Sequence, residues 1–278
     1  MNKLNLVRQA QIIKVLCEGN SLRSTARITD TAVNTVVKLL KEAGLACLDY
    51  QDRVMHNLSC RKLQCDEIWS FVYSKDKNVP KEHKNEFGYG NVWTFTAIDA
   101  DTKLVPSWYI GNRTADCAFD FITDLKSRLA NRVQLITDGH KMYLEAIEKV
   151  YGSEVDYAQL VKLYGQDIET EKRYSPAECI STKKTVIQGD VDDKDISTSY
   201  VERQNLTMRM NMRRFTRLTN AFSKKVKNHM LAISLYFMHY NFVRPHKTLA
   251  NPYPRTPAMS AGLTNHVWSI EEILRLLS

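Results

Sequence analysis

The chain has 278 residues, of which 44% are hydrophobic and 25% are charged. This size and composition predict a packed core, in one large domain with a small one or in two modest domains. No apolar stretch approaches 18 residues without a charge, and the N-terminus has no signal-peptide pattern, so we expect a cytoplasmic protein without a membrane span.

The net charge of +8 is concentrated in one block of the sequence. Residues 203–270 contain 11 Lys and Arg and no Asp or Glu, whereas the remainder has 28 basic against 31 acidic residues. A block of one sign and this length indicates an anionic partner, and nucleic acid is the first candidate. We therefore predict double-stranded DNA as a partner.

The N-terminal part predicts three short helices, over residues 8–18, 22–28 and 31–43. Asp30 is placed to cap the third helix and Gly44 to end it. Three helices with a tight turn before the last favour a helix-turn-helix domain at residues 1–48, and a generic three-helix bundle is the alternative. The side chains expected to face DNA bases are Thr31, Asn34, Thr35 and Lys38.

After a linker at 49–60, the pattern changes to strands alternating with helices. This order predicts an α/β domain with a mixed sheet and helices on both faces, over residues 61–250. A polar insertion loop with a small hairpin through 184–187 is expected at 164–198, followed by helices at 199–218 and 221–242. A C-terminal tail is expected at 251–278, extended around its prolines and ending in a short helix at 268–277. The predicted strands lie at 65–73, 92–99, 104–110, 133–137 and 155–163, and the helices between them at 114–129 and 142–150.

Two carboxylates are expected at strand ends, where sites of open α/β sheets form. Asp66 lies in the run CDEIWSFVY, and Asp138 directly follows VQLIT. Taken singly, an exposed acid at a strand edge and a turn residue before glycine are the ordinary interpretations. Glu67 alternates to the opposite face of the strand and is expected to be structural. His140 is expected to cap the following helix, and the alternative is an auxiliary role in which it contacts substrate or a water.

Glu202 begins a predicted helix that is otherwise rich in arginine. At 100° per residue, Arg209 and Arg213 return to within about 20° of Glu202, and Asn205 to within about 60°. Three converging carboxylates suit Mg²⁺ or Mn²⁺, and two such ions could act on a phosphodiester. The predicted DNA contacts of this part are Asn205, Arg209, Arg213, Arg214, Arg217, Lys224 and Lys225.

Three segments resemble bacterial insertion-sequence transposases, with closest similarity to the insertion-sequence-one family. They are DEIWSFV at 66–72, TDGHKMY at 137–143 and YVERQNLTMRMNMRRFTRLTNAFSK at 200–224. The resemblance implies a ribonuclease-H-like catalytic domain of the DDE class. It gives Asp66, Asp138 and Glu202 the catalytic and metal-binding roles, with Mg²⁺ or Mn²⁺, two ions in all.

The implied reaction is cleavage at transposon ends followed by transfer of the freed 3′-hydroxyl into target DNA, near the bacterial nucleoid and in a homodimer or larger assembly. The chain departs from the family in one respect, because its N-terminal module has no recognisable zinc pattern. Cys47, His56, Cys60 and Cys65 match no standard zinc spacing. The alternatives are a non-catalytic DNA-binding regulator, a nuclease without strand transfer, and a relative that no longer moves.

Overall fold

A computed structural model of the chain describes residues 4–165, 179–216 and 220–277. Its centre is a six-stranded mixed sheet in the order β3-β2-β1-β4-β5-β6, in which β4 runs parallel to both β1 and β5 and the other pairs are antiparallel. The mixed α/β sheet is as predicted. The strands are β1 (Lys62–Val72), β2 (Gly90–Asp99), β3 (Trp108–Gly111), β4 (Gln134–Thr137), β5 (Asp156–Tyr164) and β6 (Cys179–Gln188).

Helices cover both faces of the sheet. On one face, α4 (Ala115–Arg128) and α5 (Lys141–Tyr151) pack through Phe121 and Tyr143 on the Phe95 ring of β2. On the other face lie α6 (Ser199–Asn211) and α7 (Val226–Met238). Side chains of β1 alternate between these two layers. Glu67, at an odd position, bonds to Tyr143 of α5, and Ser70, at an even position, bonds to His229 of α7.

The N-terminal helices are α1 (Leu6–Cys17), α2 (Leu22–Ile28) and α3 (Val33–Val54). The prediction that Gly44 ends the third helix is wrong, and residues 49–54 of the predicted linker are helical. A Cβ on Gly44 would lie 2.3 Å from the backbone oxygen of Leu231, and Ser234 of α7 donates to the Gly44 carbonyl at 2.8 Å. Glycine here permits close helix packing, and α3 shares a hydrophobic core with the sheet domain.

The region predicted as a polar loop at 164–198 contains a strand. β6 pairs along β5 and forms the edge of the sheet, while residues 166–178 lie outside the described part. The helix predicted at 199–218 is also too long. It ends at Asn211, because Met212 turns into an extended conformation, and a 3-10 turn follows at Arg213–Phe215. This bend brings both Met212 and Phe215 into the core.

The helix predicted at 221–242 begins later, at Val226, and continues beyond Met238 as a π-helical turn, His239–Val243. The tail predicted at 251–278 is less extended than expected, while the short helix predicted at 268–277 is confirmed. This segment forms α8 (Pro257–Ser260) and α9 (Ile270–Arg275), and Ile273 is fully buried. The Trp268 ring packs against Tyr50 and Phe242, so the C-terminal segment joins α3 to the sheet domain. Within the described ranges, no helix is long and apolar enough to cross a membrane.

Candidate metal centre

The site forms where β4 ends beside a longer neighbour. β1 and β4 pair in parallel as far as Cys65 and Thr137, so Asp66 and Asp138 are each the next residue after the last pair. β4 stops there, whereas β1 continues to Val72. The open edge of β1 beyond Thr137 is called the notch below. The register therefore brings the two predicted carboxylates together, as the sequence suggested for neighbouring strands.

A third carboxylate, Glu67, also reaches the notch. One oxygen each of Asp66, Glu67 and Asp138 lie within 4.8 Å of one another, in the only such acidic group found among the described residues. Glu67 lies on the face of β1 opposite Asp66, as expected, since it bonds to Tyr143 of α5 while Asp66 bonds to Asn205 of α6. Because β4 has ended, side chains from both faces of β1 can approach Asp138 across the open edge. Because side chains alternate along a strand, the sequence predicts that the Glu67 carboxylate lies away from Asp66. No sequence signal indicates that Glu67 approaches Asp138.

Glu67 is held by two partners of its own. Arg113 donates to it through Nε at 2.5 Å, and the Tyr143 hydroxyl donates at 2.9 Å. A second guanidinium nitrogen of Arg113 lies 4.0 Å from Asp138. Arg113 therefore offsets part of the negative charge at the inner end of the notch. No sequence pattern marks Arg113 as part of the site.

Electrostatics favour a proton or a cation at this centre. Burial and then the neighbouring Glu67 carboxylate raise the pKa of Asp66 to about 7, and Asp138 and Glu202 act in the same direction. Burial and the Asp138 charge also raise the pKa of Glu67, although Arg113 and Tyr143 oppose the shift. Crowded carboxylates disfavour full ionisation unless positive charge is added. A divalent cation would supply that charge.

The predicted third ligand, Glu202, lies beside this group on α6 and is not part of the 4.8 Å set found in the described residues. Lys162 of β5 donates to one of its oxygens at 2.5 Å and the Thr198 hydroxyl to the other at 2.6 Å. Burial opposes the charge on Lys162, but its hydrogen bond and attraction to Glu202 raise its pKa overall. Lys162 thus stands next to Glu202 where an added cation would compete with it.

One turn further along α6, Asn205 contacts the centre directly. Its amide nitrogen donates to Asp66 at 2.8 Å, whereas its buried Oδ1 has no hydrogen-bond partner. An oxygen atom without a donor beside three carboxylates fits a site for a hard divalent cation. The prediction that Asn205 contacts DNA is corrected, because its side chain is buried against Asp66.

The predicted basic DNA contacts differ in exposure and in hydrogen bonding. Arg213, Lys224 and Lys225 are exposed, although Arg213 lies past the end of α6 and not on the Glu202 face, while Arg209 is half-buried on the helix. Arg214 is not available as predicted, since it donates to Ser223 and to the backbone of Asn228. Arg217 lies outside the described residues.

The remaining candidates lie around the N-terminal helices and the centre. Asn34 and Lys38 are exposed on α3 while Thr31 and Thr35 are half-buried, and Lys38 is 3.7 Å from Glu42. His140 caps α5 by accepting from Met142 N–H at 3.3 Å, as expected. The six cysteines are free thiols, and the set considered for zinc forms no metal-binding group among the residues described.

Comparisons with known proteins found no matching family profile and no matching curated protein. Among solved structures, a cryo-EM synaptic complex of piggyBac transposase with hairpin DNA has a TM-score of 0.44 and 10% identity, covering 99% of this chain and 71% of that one. The Mos1 mariner paired-end complex with Mn has a TM-score of 0.23 and 15% identity, covering 56% and 60%. A pre-cleavage Mos1 transpososome has 0.22 and 10%, covering 86% and 79%. These scores are too low for the superpositions to support an assignment.

Proposed function

We propose that the protein is a DNA transposase, which cuts phosphodiester bonds at transposon ends and joins the freed 3′-hydroxyl to target DNA. The observation that carries this proposal is the convergence of Asp66, Glu67 and Asp138 within 4.8 Å at a notch bordered by Glu202. The strand order and its parallel β1–β4 pair fit a ribonuclease-H-like domain. Three segments, at 66–72, 137–143 and 200–224, resemble insertion-sequence transposases. This resemblance favours cleavage and strand transfer at transposon ends over other phosphodiester reactions.

Asp66, Asp138 and Glu202 would hold Mg²⁺ or Mn²⁺. Bound there, divalent cations supply charge that stabilises the phosphorane-like transition state and helps to ionise the attacking water or hydroxyl. Asn205 orients Asp66 by donating from its amide nitrogen, and its buried Oδ1, which has no hydrogen-bond partner, would be a further oxygen ligand. The Thr198 hydroxyl donates a hydrogen bond to Glu202 and thereby holds this carboxylate in position.

The DNA surface proposed for this reaction combines the exposed basic residues of the acid-free block with the N-terminal helices. Phosphate contacts from Lys and Arg position a duplex, and the exposed residues Asn34 and Lys38 of α3 are the base-reading candidates in a helix-turn-helix. Because two transposon ends must be joined in one event, the working assembly would contain at least two copies of the chain.

The direct test uses DNA fragments that flank the gene on each side, labelled at their ends, with target plasmid and Mg²⁺ or Mn²⁺. We expect cut ends and covalently joined products. Asp66→Asn, Asp138→Asn and Glu202→Gln should each lose both products while retaining DNA binding. Asp101→Asn, an exposed acid outside the site, is the matched control.

Three outcomes would change the assignment of function. Cut ends without any joined product would favour a nuclease of the same fold. Full strand transfer in Asp66→Asn or Asp138→Asn would contradict the metal-centre assignment, and a protein that only binds DNA would be a regulator.

A further inference from the structure

A row of aromatic side chains continues from the acidic centre along the outer half of β1. The Trp69 and Phe71 ring centroids are 5.8 Å apart, and the Phe71 and Phe222 centroids 4.9 Å apart. We call Trp69, Phe71 and Phe222 the aromatic row. Since Glu67, Trp69 and Phe71 alternate onto one face of β1, the row leads away from Glu67 over about 13 Å of strand.

The aromatic row is not part of the hydrophobic core. On the same face, Cys65 and Phe95 are completely buried under α4 and α5, whereas Trp69, Phe71 and Phe222 are half-buried. None of the three rings belongs to either hydrophobic cluster of the described chain. Within the described part of the chain, their accessible surface is therefore open to another molecule.

One cation lies over a ring of the row itself and another over the neighbouring ring of Trp93. Trp93, directly opposite Trp69 on β2, has the Arg113 guanidinium 4.7 Å from its ring centre. At the other end of the row, the Lys224 ammonium is 4.4 Å from the centre of Phe222, and Lys224 is exposed. Arg113 is the same residue that bonds to Glu67 at the acidic centre.

The segment carrying Phe222 is fixed to the end of the notch. The Tyr73 N–H donates to the Ser223 carbonyl at 2.8 Å, so the chain at 223 closes the open edge of β1 beyond Val72. Ser223 also bonds to the buried His229 and to Arg214. The aromatic row is thus built on a strand and an anchored segment, and its ring positions are set before any ligand arrives.

We propose that the aromatic row binds the bases of an unpaired DNA strand as it leaves the acidic centre. This inference rests on the proposed function, since it places the strand beside the phosphate to be cut. Flat rings flanked by cations stack on bases and attract phosphates, and this combination is the general means of holding single strands. Paired bases in a duplex cannot present their faces to such a row, so the row selects strands that are frayed, flipped or overhanging.

The charge pattern favours DNA over a protein as the occupant. An interface with a protein would bury the rings and contain few lysines, because lysine is depleted from such interfaces. Here Lys224 and Lys225 are exposed at the outer end of the row, within the acid-free block. The occupant that matches rings, cations and a nearby cation-binding centre is a polyanion with planar groups.

The test measures binding without divalent metal, so that cleavage plays no part. The full chain is titrated in EDTA with a labelled oligothymidylate and with a duplex of the same length. Leucine at Trp69, Phe71 or Phe222 keeps the apolar volume but removes the stacking surface. We expect each variant to lose about 5- to 100-fold in affinity for the single strand and little for the duplex.

Two controls keep the result interpretable. Tyr253→Leu removes another exposed aromatic ring and should leave both affinities unchanged. Phe71→Tyr keeps a ring in the row and should retain single-strand binding, which separates stacking from folding. Circular dichroism and melting temperature identify any variant that fails to fold, and Phe222→Leu, outside the core, then remains decisive.

Folded leucine variants with unchanged affinity for oligothymidylate would overturn the aromatic row as a binding site. Equal losses for duplex and single strand would overturn it too, since stacking cannot explain them. The proposed function fails separately: a chain that holds single strands through the row but never cuts DNA contradicts the transposase and leaves the row intact.

Discussion

At the scale of single residues, the charged form of Asp66 is electrostatically unfavourable in the folded protein. Its carboxyl group is close to Glu67 and Asp138 and accepts hydrogen bonds from Glu67 N–H and Asn205. These hydrogen bonds do not offset the cost of burying the charge, since the pKa is raised to about 7. The site is arranged for a cation at the expense of the stability of the cation-free protein.

The raised pKa of Asp66 predicts a pH dependence of unfolding. A carboxyl with a folded pKa near 7 and an unfolded value of about 3.9 binds more protons when folded, so stability falls as pH rises between the two values. In EDTA, Asp66→Asn should therefore be more stable than the wild type at pH 8, by about 1–3 kcal/mol, and show less difference at pH 4. Urea unfolding at both pH values measures it. The stability difference between Asp66→Asn and the wild type should be larger at pH 8 than at pH 4. An equal difference at the two pH values would contradict the raised pKa of Asp66.

Lys162 predicts a second residue-scale effect. Its ammonium group bonds to Glu202, so a divalent cation that uses Glu202 must displace it or tolerate it nearby. Lys162→Met should therefore bind Mn²⁺ several-fold more tightly in calorimetric titrations, because a competing positive charge is gone. Lys149→Met removes an exposed lysine paired with Glu145 and should not change the affinity. Weaker or equal Mn²⁺ binding in Lys162→Met would remove Glu202 from the ligand set.

At the scale of elements, the regular strands and helices around the sheet were predictable and the long-range packing was not. The alternating and helical patterns located β1, β2, β4, β5, α4 and α5, because each buries one face or lies wholly inside. Gly44 shows the limit. A glycine after a helical pattern predicts a helix end, but this glycine continues α3 because α7 passes against it. Only the partner helix contains that information.

At the site too, contacts between distant elements cannot be read from local sequence patterns. Asp138 directly follows the end of β4, as the sequence indicates, whereas Asp66 lies inside β1, and the register of the parallel pair brings the two together. Glu67 was assigned to the far face because side chains alternate, and its approach depends on β4 ending four pairs into β1. Arg213 was placed on the Glu202 face by extending α6 beyond Asn211, where a tertiary contact of Phe215 bends the chain.

Gly44 provides the element-scale prediction. Helix propensity alone predicts that Gly44→Ala stabilises the protein by about 1 kcal/mol. A Cβ would instead meet the Leu231 carbonyl carbon at 2.8 Å and its oxygen at 2.3 Å, so α3 and α7 must separate. We expect a loss of about 1–3 kcal/mol in urea unfolding. Lys41→Ala, at an exposed position of α3, should change stability by less than about 0.5 kcal/mol. A stabilised Gly44→Ala would show that the two helices are not in close contact.

At the scale of the whole molecule, charge is separated between the acidic notch and the acid-free block. Seven basic residues of that block are exposed in the described part of the chain: Arg203, Arg213, Lys224, Lys225, Lys227, Arg244 and Lys247. DNA bound at these residues would bring its phosphates close to an acidic centre. A phosphate placed in the notch itself would need divalent cations to offset repulsion from the carboxylates, whereas binding at the basic residues alone would not. This difference links the two halves of the proposed function.

This separation predicts a steep dependence of DNA affinity on salt. Each neutralised phosphate contributes a slope of about −0.9 to log K against log salt concentration. Lys224→Gln combined with Lys225→Gln should reduce the slope by about 2 in fluorescence titrations with duplex DNA. Lys149→Gln combined with Lys194→Gln changes two exposed lysines outside the block and should leave it unchanged. Salt-independent binding would exclude the block as the DNA surface.

The central claim is that the notch beside β4 holds divalent cations through its carboxylates. A crystal structure of the full chain grown with Mn²⁺, with anomalous diffraction recorded at the manganese edge, tests it most directly. We predict manganese peaks coordinated by Asp66 and Asp138, with Glu202 released from Lys162 to join them, and no peak at this position in Asp138→Asn. Manganese absent from the notch at saturating concentration, or bound only elsewhere on the surface, would contradict the account.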